Sequence, residues 1–352
     1  MSIVLKVLRV YAVPRRNRGR KVDEILDGVS DAKTTALLTA SRYRVTFIAG
    51  QPLDLPSYLG STLRGAFGHA FRAVACPARI DEPCPIPSQC PYHLIFETSP
   101  PPGSDALRTH DEIPRPFVIA PADSVQADSG EHGRRLFEPG DEVSFELVLI
   151  GRAQEFFPYF VVALREVNRI GRGRQAIELQ RIDAMGTGAS QSRVVYTASE
   201  NLVNGSAYSI SLEACADGLP DGPLTIEFLT QTRLKHEGRF VRTPEFQILF
   251  RRLLGRLSSL SRFHCGAPLD VDFRELIDQA ASIGLIKDDT KWTRWQRYSS
   301  RQGRRMEWEG IVGRATYEGD FAPFWKFLSF GQFIHVGHGA TFGLGKYRMD
   351  LE

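Results

Sequence analysis

The segment HVGHGATFGLGKYR, residues 335–348, constrains this chain more than any other. It places four glycines, Gly337, Gly339, Gly343 and Gly345, within nine residues, between an apolar helical pattern and a closing strand. Glycine alone populates positive φ without steric cost. So many in one loop predict either a sharp helix-to-strand turn or a nest of backbone N–H groups facing an anion. His335, His338, Lys346 and Arg348 add donors and charge around it. The loop is not a Walker loop, because no Gly-Lys-Ser/Thr opens a helix. It is not a dinucleotide fingerprint either, because it follows a helix and not a strand.

Upstream, the elements fall into two similar series. Tyr43–Ala49, Glu142–Ile150 and Gln175–Met185 read as strands, with apolar residues near period two and a short strand near Phe117–Ala120. Helices are expected from Leu55 to Ala75 and from Ala153 to Arg169, and a further strand over Tyr92–Thr98. The second series has a strand at Leu224–Arg233 and an amphipathic helix at Pro244–Phe263. A short helix follows at Phe273–Ser282, then a hairpin of Trp292–Ser300 and Met306–Tyr317, a helix at Phe321–His335 and a strand at Leu344–Leu351. This order, given twice, is the split βαβ unit. The expectation is an α+β protein of tandem ferredoxin-like (βαββαβ) domains with antiparallel sheets and a C-terminal glycine-rich loop. Residues 1–42 read as a basic extension, 43–186 as the first domain with a Cys-rich insertion, 187–222 as a linker and 223–352 as the second domain.

The 352 residues suit about two domains. With 42% hydrophobic and 24% charged residues, the composition is ordinary for a globular protein and excludes a disordered or fibrous chain. The longest mainly apolar run, Phe156–Leu164, is far too short for a membrane span, and the N-terminus does not read as a signal peptide. A cytoplasmic location without membrane partners is expected. Net charge is only +3. Yet residues 1–44 carry ten Lys/Arg against four Asp/Glu, and residues 291–352 ten against six, which suits a polyanionic partner or a solvated surface.

Five cysteines suit a reducing compartment. Cys76, Cys84 and Cys90 cluster, with His93, Cys215 or Cys265 available as a fourth ligand, so a structural zinc ion is one reading and buried thiols the other.

The glycine-rich loop, closing the second of two such halves, resembles the terminal motif of the RAMP superfamily. Three further stretches sharpen the resemblance: LPSYLGSTLRGAFGHAFR (55–72), CPIPSQCPYHLIFE (84–97) and RYSSRQGRRMEWEGIVGRATY (297–317). Together they are similar to the CRISPR-associated endoribonucleases that cut precursor CRISPR RNA within its repeats. The likeness covers about residues 43–352. Two departures stand out: position 338 is His where Lys is common, and the Cys segment has three cysteines where relatives often have four.

The resemblance implies cleavage without a metal cofactor, by attack of the ribose 2′-OH on the adjacent phosphate. Such chemistry needs a base, an acid and a cation or N–H donor for the developing charge. The family draws a catalytic histidine from the region of its first helix, which points to His69. Its competing reading is a structural hydrogen bond. Tyr298 and Arg301 are the further catalytic candidates. Gly337, His338, Gly339, Gly343, Gly345, Lys346, Arg304 and Arg305 are the RNA-binding ones. Trp292 and Trp295 read either as base-stacking rings or as core. The implied partners are CRISPR repeat RNA, its processed crRNA and a CRISPR effector complex. A non-catalytic RAMP subunit gripping guide RNA is the alternative.

Overall fold

The computed structural model describes residues 38–79, 82–98, 113–122, 134–171, 173–188, 190–204, 207–219, 221–299 and 304–351. Strands β1 (Thr39–Ala49), β2 (Phe117–Pro121), β3 (Glu142–Ile150) and β4 (Gln175–Met185) form an antiparallel sheet in the order β2-β3-β1-β4. Helix α1 (Gly60–Ala75) connects β1 to β2 through the short helix α2 (Pro91–Ile95), and α3 (Phe157–Glu166) connects β3 to β4. That order is the ferredoxin-like arrangement. β1 starts at Thr39, earlier than its alternation suggests, and its register sets Tyr43 opposite Leu147 and Val45 opposite Phe145.

The second half repeats the plan. β5 (Leu224–Thr232), α4 (Phe246–His264), α5 (Phe273–Ala280), β6 (Gly284–Ser299), β7 (Arg304–Glu318), α6 (Trp325–Ile334) and β8 (Tyr347–Leu351) follow in order, and the sheet runs β6-β7-β5-β8. α5 is started by Asp272, whose carboxylate accepts from the Glu275 N–H at 2.9 Å.

Period-two alternation explains how the first sheet is buried on both faces. On β3, Val143, Phe145, Leu147 and Leu149 pack with Phe67, Phe71 and Phe160 of α1 and α3. Val148 and Ile150 point the other way, into the core built by α4 and α6 of the second half. Helices α4 and α6 therefore lie between the two sheets.

Several expectations are corrected. Residues 92–98 do not form a strand: Cys90 caps a short helix with Pro91 at its first position, where a fixed φ and a missing N–H cost nothing. The first helix begins at Gly60, because Leu53–Pro56 pairs as a strand with Arg134–Phe137. Residues 151–156 form a 3₁₀ turn ahead of α3. The segment read as a linker adds Ser192–Thr197 to β4 and Ile210–Ser211 to β1. The hairpin is longer than its sequence pattern, with register running from Gly284 opposite Glu318 to Ser299 opposite Arg304. No described helix is long and apolar enough to cross a membrane.

Candidate nucleic-acid interface

The glycine-rich loop sits at the join of the two halves. It leaves α6 through His335, turns once through Ala340–Phe342 and enters β8. Its backbone is pinned to the end of β5. Gly345 N–H donates to the Gln231 carbonyl at 3.2 Å, and His338 N–H to the Arg233 carbonyl at 3.2 Å. The Thr230 hydroxyl accepts from Lys346 N–H and donates to the Gly343 carbonyl, both at 2.9 Å.

The other side of the loop meets the first half. The Tyr58 hydroxyl donates to the Phe342 carbonyl at 2.5 Å, and Arg64 of α1 lies over the Phe342 ring at 4.4 Å. Tyr58, Trp308 and Leu344 close a small apolar cluster with Phe342. Burial pushes the Tyr58 phenol far above its ordinary pKa, so it is a fixed donor.

These contacts correct two of the expected phosphate-binding glycines. Gly343 and Gly345 are buried, and their N–H groups bond to the Ala340 and Gln231 carbonyls. They serve close packing, so the nest imagined from composition does not open at them. Lys346 likewise turns inward, its ammonium 3.7 Å from Glu146, which also accepts from Arg42 at 2.6 Å. Burial alone would raise the Glu146 carboxyl, but Arg42 and Lys346 outweigh it and hold the group below the usual carboxylate range. His338 is exposed, and Gly337 and Gly339 are half-buried, so the outward part of the loop is 337–339.

The histidines separate by environment. His335 is buried, with Nδ1 donating to the Leu344 carbonyl at 3.1 Å; burial and the Lys346 charge push its pKa down to about 3. His264 is buried, with Nε2 donating to the Pro114 carbonyl at 2.7 Å; burial lowers it to about 4. Both are neutral structural donors. His69 is exposed on α1, next to the open Gly65 on the same face. From Gly60, which abuts the Phe342 carbonyl, His69 lies about 13 Å along the helix. His110 and His132 lie outside the described residues.

The two buried histidines give a pH prediction. Unfolded, each titrates near 6.5. Below that value the unfolded chain takes up protons that the folded chain refuses. Stability therefore falls as pH drops from about 6.5, by up to about 1.4 kcal/mol per unit for each histidine, until the folded values near 3 and 4 are reached. Glu146, with its depressed pKa, contributes stability that is lost at lower pH still. A urea midpoint clearly lower at pH 5 than at pH 7 is expected; equal midpoints would contradict the neutral burial.

The basic hairpin is placed in part. Tyr298 pairs with Arg305, and Ser299 with Arg304, at the far end of β6 and β7. Arg301 lies outside the described residues. Nearer the core, Trp292 Nε1 donates to Glu309 at 3.1 Å, and Arg242 lies over the Trp292 ring at 5.4 Å.

The structure adds a patch that sequence reasoning missed. Lys235–His236 and Arg239–Phe240 form a small hairpin, with positive φ at Glu237 and Gly238. Arg233 lies 4.3 Å over the Phe240 ring, and His338 meets that ring edge-on at 5.5 Å. Cations and an aromatic ring thus gather beside the outward part of the glycine loop, a combination suited to phosphate and base contact. The Glu237-Gly238 turn between two basic runs was the available signal.

Cys76, Cys84, Cys90 and His93 converge, their ligand atoms all within 4.8 Å of one another. His93 thus joins the three cysteines, while Cys215 and Cys265 lie elsewhere in the core. Burial pushes the Cys90 thiol up to about 12.

Residues 38–207 match a family model described as an N-terminal domain, and residues 226–347 match that of the CRISPR-associated endoribonuclease Cas6. No curated protein sequence matches the chain. Among solved structures, Thermus thermophilus Cas6 is similar at 15% identity and a TM-score of 0.51, over 89% of this chain and 99% of that one. A Cas6 product complex is similar at 15% identity and a TM-score of 0.52, with the same coverage. A chain of a partial Cas6-RT-Cas1–Cas2 complex is similar at 14% identity and a TM-score of 0.53, over 90% of this chain and 46% of that one. At these identities the likeness speaks for the fold: two ferredoxin-like units in tandem.

Proposed function

We propose that this chain, whose residues 226–347 match the family model of the CRISPR-associated endoribonuclease Cas6, cuts CRISPR repeat RNA in precursor transcripts to release crRNA. The family match carries the reading. The basic and aromatic patch beside residues 337–339, and the exposed His69 on the helix that abuts Phe342 of the same glycine-rich loop, support it. The division into domains at 43–186 and 223–352 belongs to the same proposal.

The ribose 2′-oxygen attacks the adjacent phosphorus, the bond to the 5′-oxygen breaks, and a 2′,3′-cyclic phosphate and a 5′-OH remain. His69, exposed on α1, takes or supplies a proton. Tyr298 is the second proton-transfer group. Arg301 stabilises the charge on phosphorus, and Arg304 and Arg305 hold flanking phosphates bidentately. Among the loop residues, Gly337, His338 and Gly339 face the RNA, with Arg233, Arg239 and Phe240 alongside. No cofactor takes part in the reaction. The partners are repeat RNA, crRNA and a CRISPR complex, a reading supported by the similar Cas6 product complex and Cas6-RT-Cas1–Cas2 complex.

Incubation with transcripts containing repeats tests this reading. One cut per repeat is expected, with binding that weakens steeply with salt, since phosphate contacts release counterions. Salt-sensitive binding without any cut would instead identify a subunit that grips guide RNA.

A further inference from the structure

We propose that Cys76, Cys84, Cys90 and His93 form a tetrahedral zinc site that clips the end of α1 to α2. The inference is independent of the RNA chemistry.

Three thiolates and one imidazole are a donor set for zinc, and four protein ligands leave no open position, which marks the site as structural. The four ligand atoms lie within 4.8 Å of one another. With zinc–sulfur bonds of about 2.3 Å, a tetrahedron has edges of about 3.8 Å, so only a small contraction separates this cluster from a closed site. All three cysteines are free of disulfides.

A second observation points to the same ligand. His93 Nδ1 lies 3.4 Å from a Glu97 carboxylate oxygen. That leaves Nε2 for the metal and fixes the ring by the carboxylate–histidine pairing that metal-ligating histidines almost always have. Glu97 is held in turn by the Tyr92 hydroxyl at 3.3 Å.

The positions show what the ion would do. Cys76 ends α1, and Cys90 caps α2, with its Sγ 3.7 Å from the Ala75 carbonyl. The described residues between them, 77–79 and 82–89, carry no helix or strand. Arg72 reaches the carbonyls of Arg79 and Glu82 at 3.4 Å, which is a weak tether for a loop of this length. One ion bonded to both ends and to Cys84 in the middle would fix the loop. It would also fix the C-terminal end of α1, whose His69 lies two turns before Cys76.

The test uses the full chain, purified without chelator from zinc-supplemented cells. About one zinc ion per chain is expected. Replacement by Co²⁺ should give intense thiolate-to-cobalt absorption and the visible bands of a tetrahedral site. Cys84→Ser, at a partly exposed position, and His93→Gln should fold by circular dichroism yet lose the metal or hold it far more weakly. Cys215→Ser should retain it. Glu97→Gln should keep the stoichiometry and lower zinc affinity about 10–100-fold. Chelation should lower the melting temperature of the wild-type chain and leave that of Cys84→Ser unchanged. A refolded wild-type chain that takes up no zinc and gives no thiolate–cobalt band, or a Cys84→Ser variant that binds as tightly as the wild type, would overturn the proposal.

Discussion

His69→Ala is expected to slow single-turnover cleavage of repeat RNA by about 10²–10⁴-fold while leaving repeat affinity near that of the wild type. The side chain is exposed on α1, so its removal opens no cavity. Alanine is also the better helix former, so the variant should be at least as stable. Binding should survive because the cations and rings assigned to the RNA, from Arg233 to Arg305, lie in the other half of the chain. His338→Ala is the informative control, since His338 is also exposed and sits in the loop. If His338→Ala abolishes the cut and His69→Ala does not, the proton-transfer group belongs to the glycine loop. If both cut at wild-type rate, Tyr298 and Arg301 carry the chemistry between them.

Gly345→Val is expected to destabilise the fold by more than about 3 kcal/mol, enough to lose much of the folded protein. A Cβ at position 345 would lie 1.7 Å from the Val336 carbonyl oxygen, at a φ of +69° that a β-branched residue resists. Gly343 is almost as tight: a Cβ there would meet the Ile119 carbonyl oxygen at 2.8 Å and the Ala120 Cα at 2.9 Å, and would pry the two halves apart. Gly65→Ala is the contrast. Gly65 lies inside α1 with nothing within 4 Å, so alanine should be neutral or stabilising by up to about 1 kcal/mol. Urea unfolding checks all three. A Gly345→Val variant as stable as the wild type would contradict the close approach of Gly345 to Val336.

That contrast shows which features the sequence made legible. Period-two runs such as Glu142–Ile150 and the helical spacing of Phe246–His264 are local, and local patterns survive in the chain as written. They placed most elements and so the tandem arrangement. The positions of the four glycines were equally visible, but their role was not. Gly343 touches Ile119, and Lys346 pairs with Glu146, residues far away in sequence that only the packing of one half on the other brings together. The same holds for His335 and His264, whose burial removes them as proton carriers. Other features were readable and were passed over. The two-residue gap between Cys90 and His93 was a spacing that could have singled out His93 from Cys215 and Cys265 as the fourth ligand. The basic hairpin around Glu237-Gly238 also had its turn signal in plain view.

The central claim is that the substrate supplies its own nucleophile. The direct measurement is cleavage in EDTA of two matched repeat RNAs, one of them carrying deoxyribose just 5′ of the cut, with the fold monitored by circular dichroism in the same samples. The account predicts that the all-ribose RNA is cut once per repeat, leaving a 2′,3′-cyclic phosphate and a 5′-OH, while the deoxy-substituted RNA is bound and left intact. Cutting of the deoxy-substituted RNA, or cutting of the all-ribose RNA only when Mg²⁺ is restored, would contradict it.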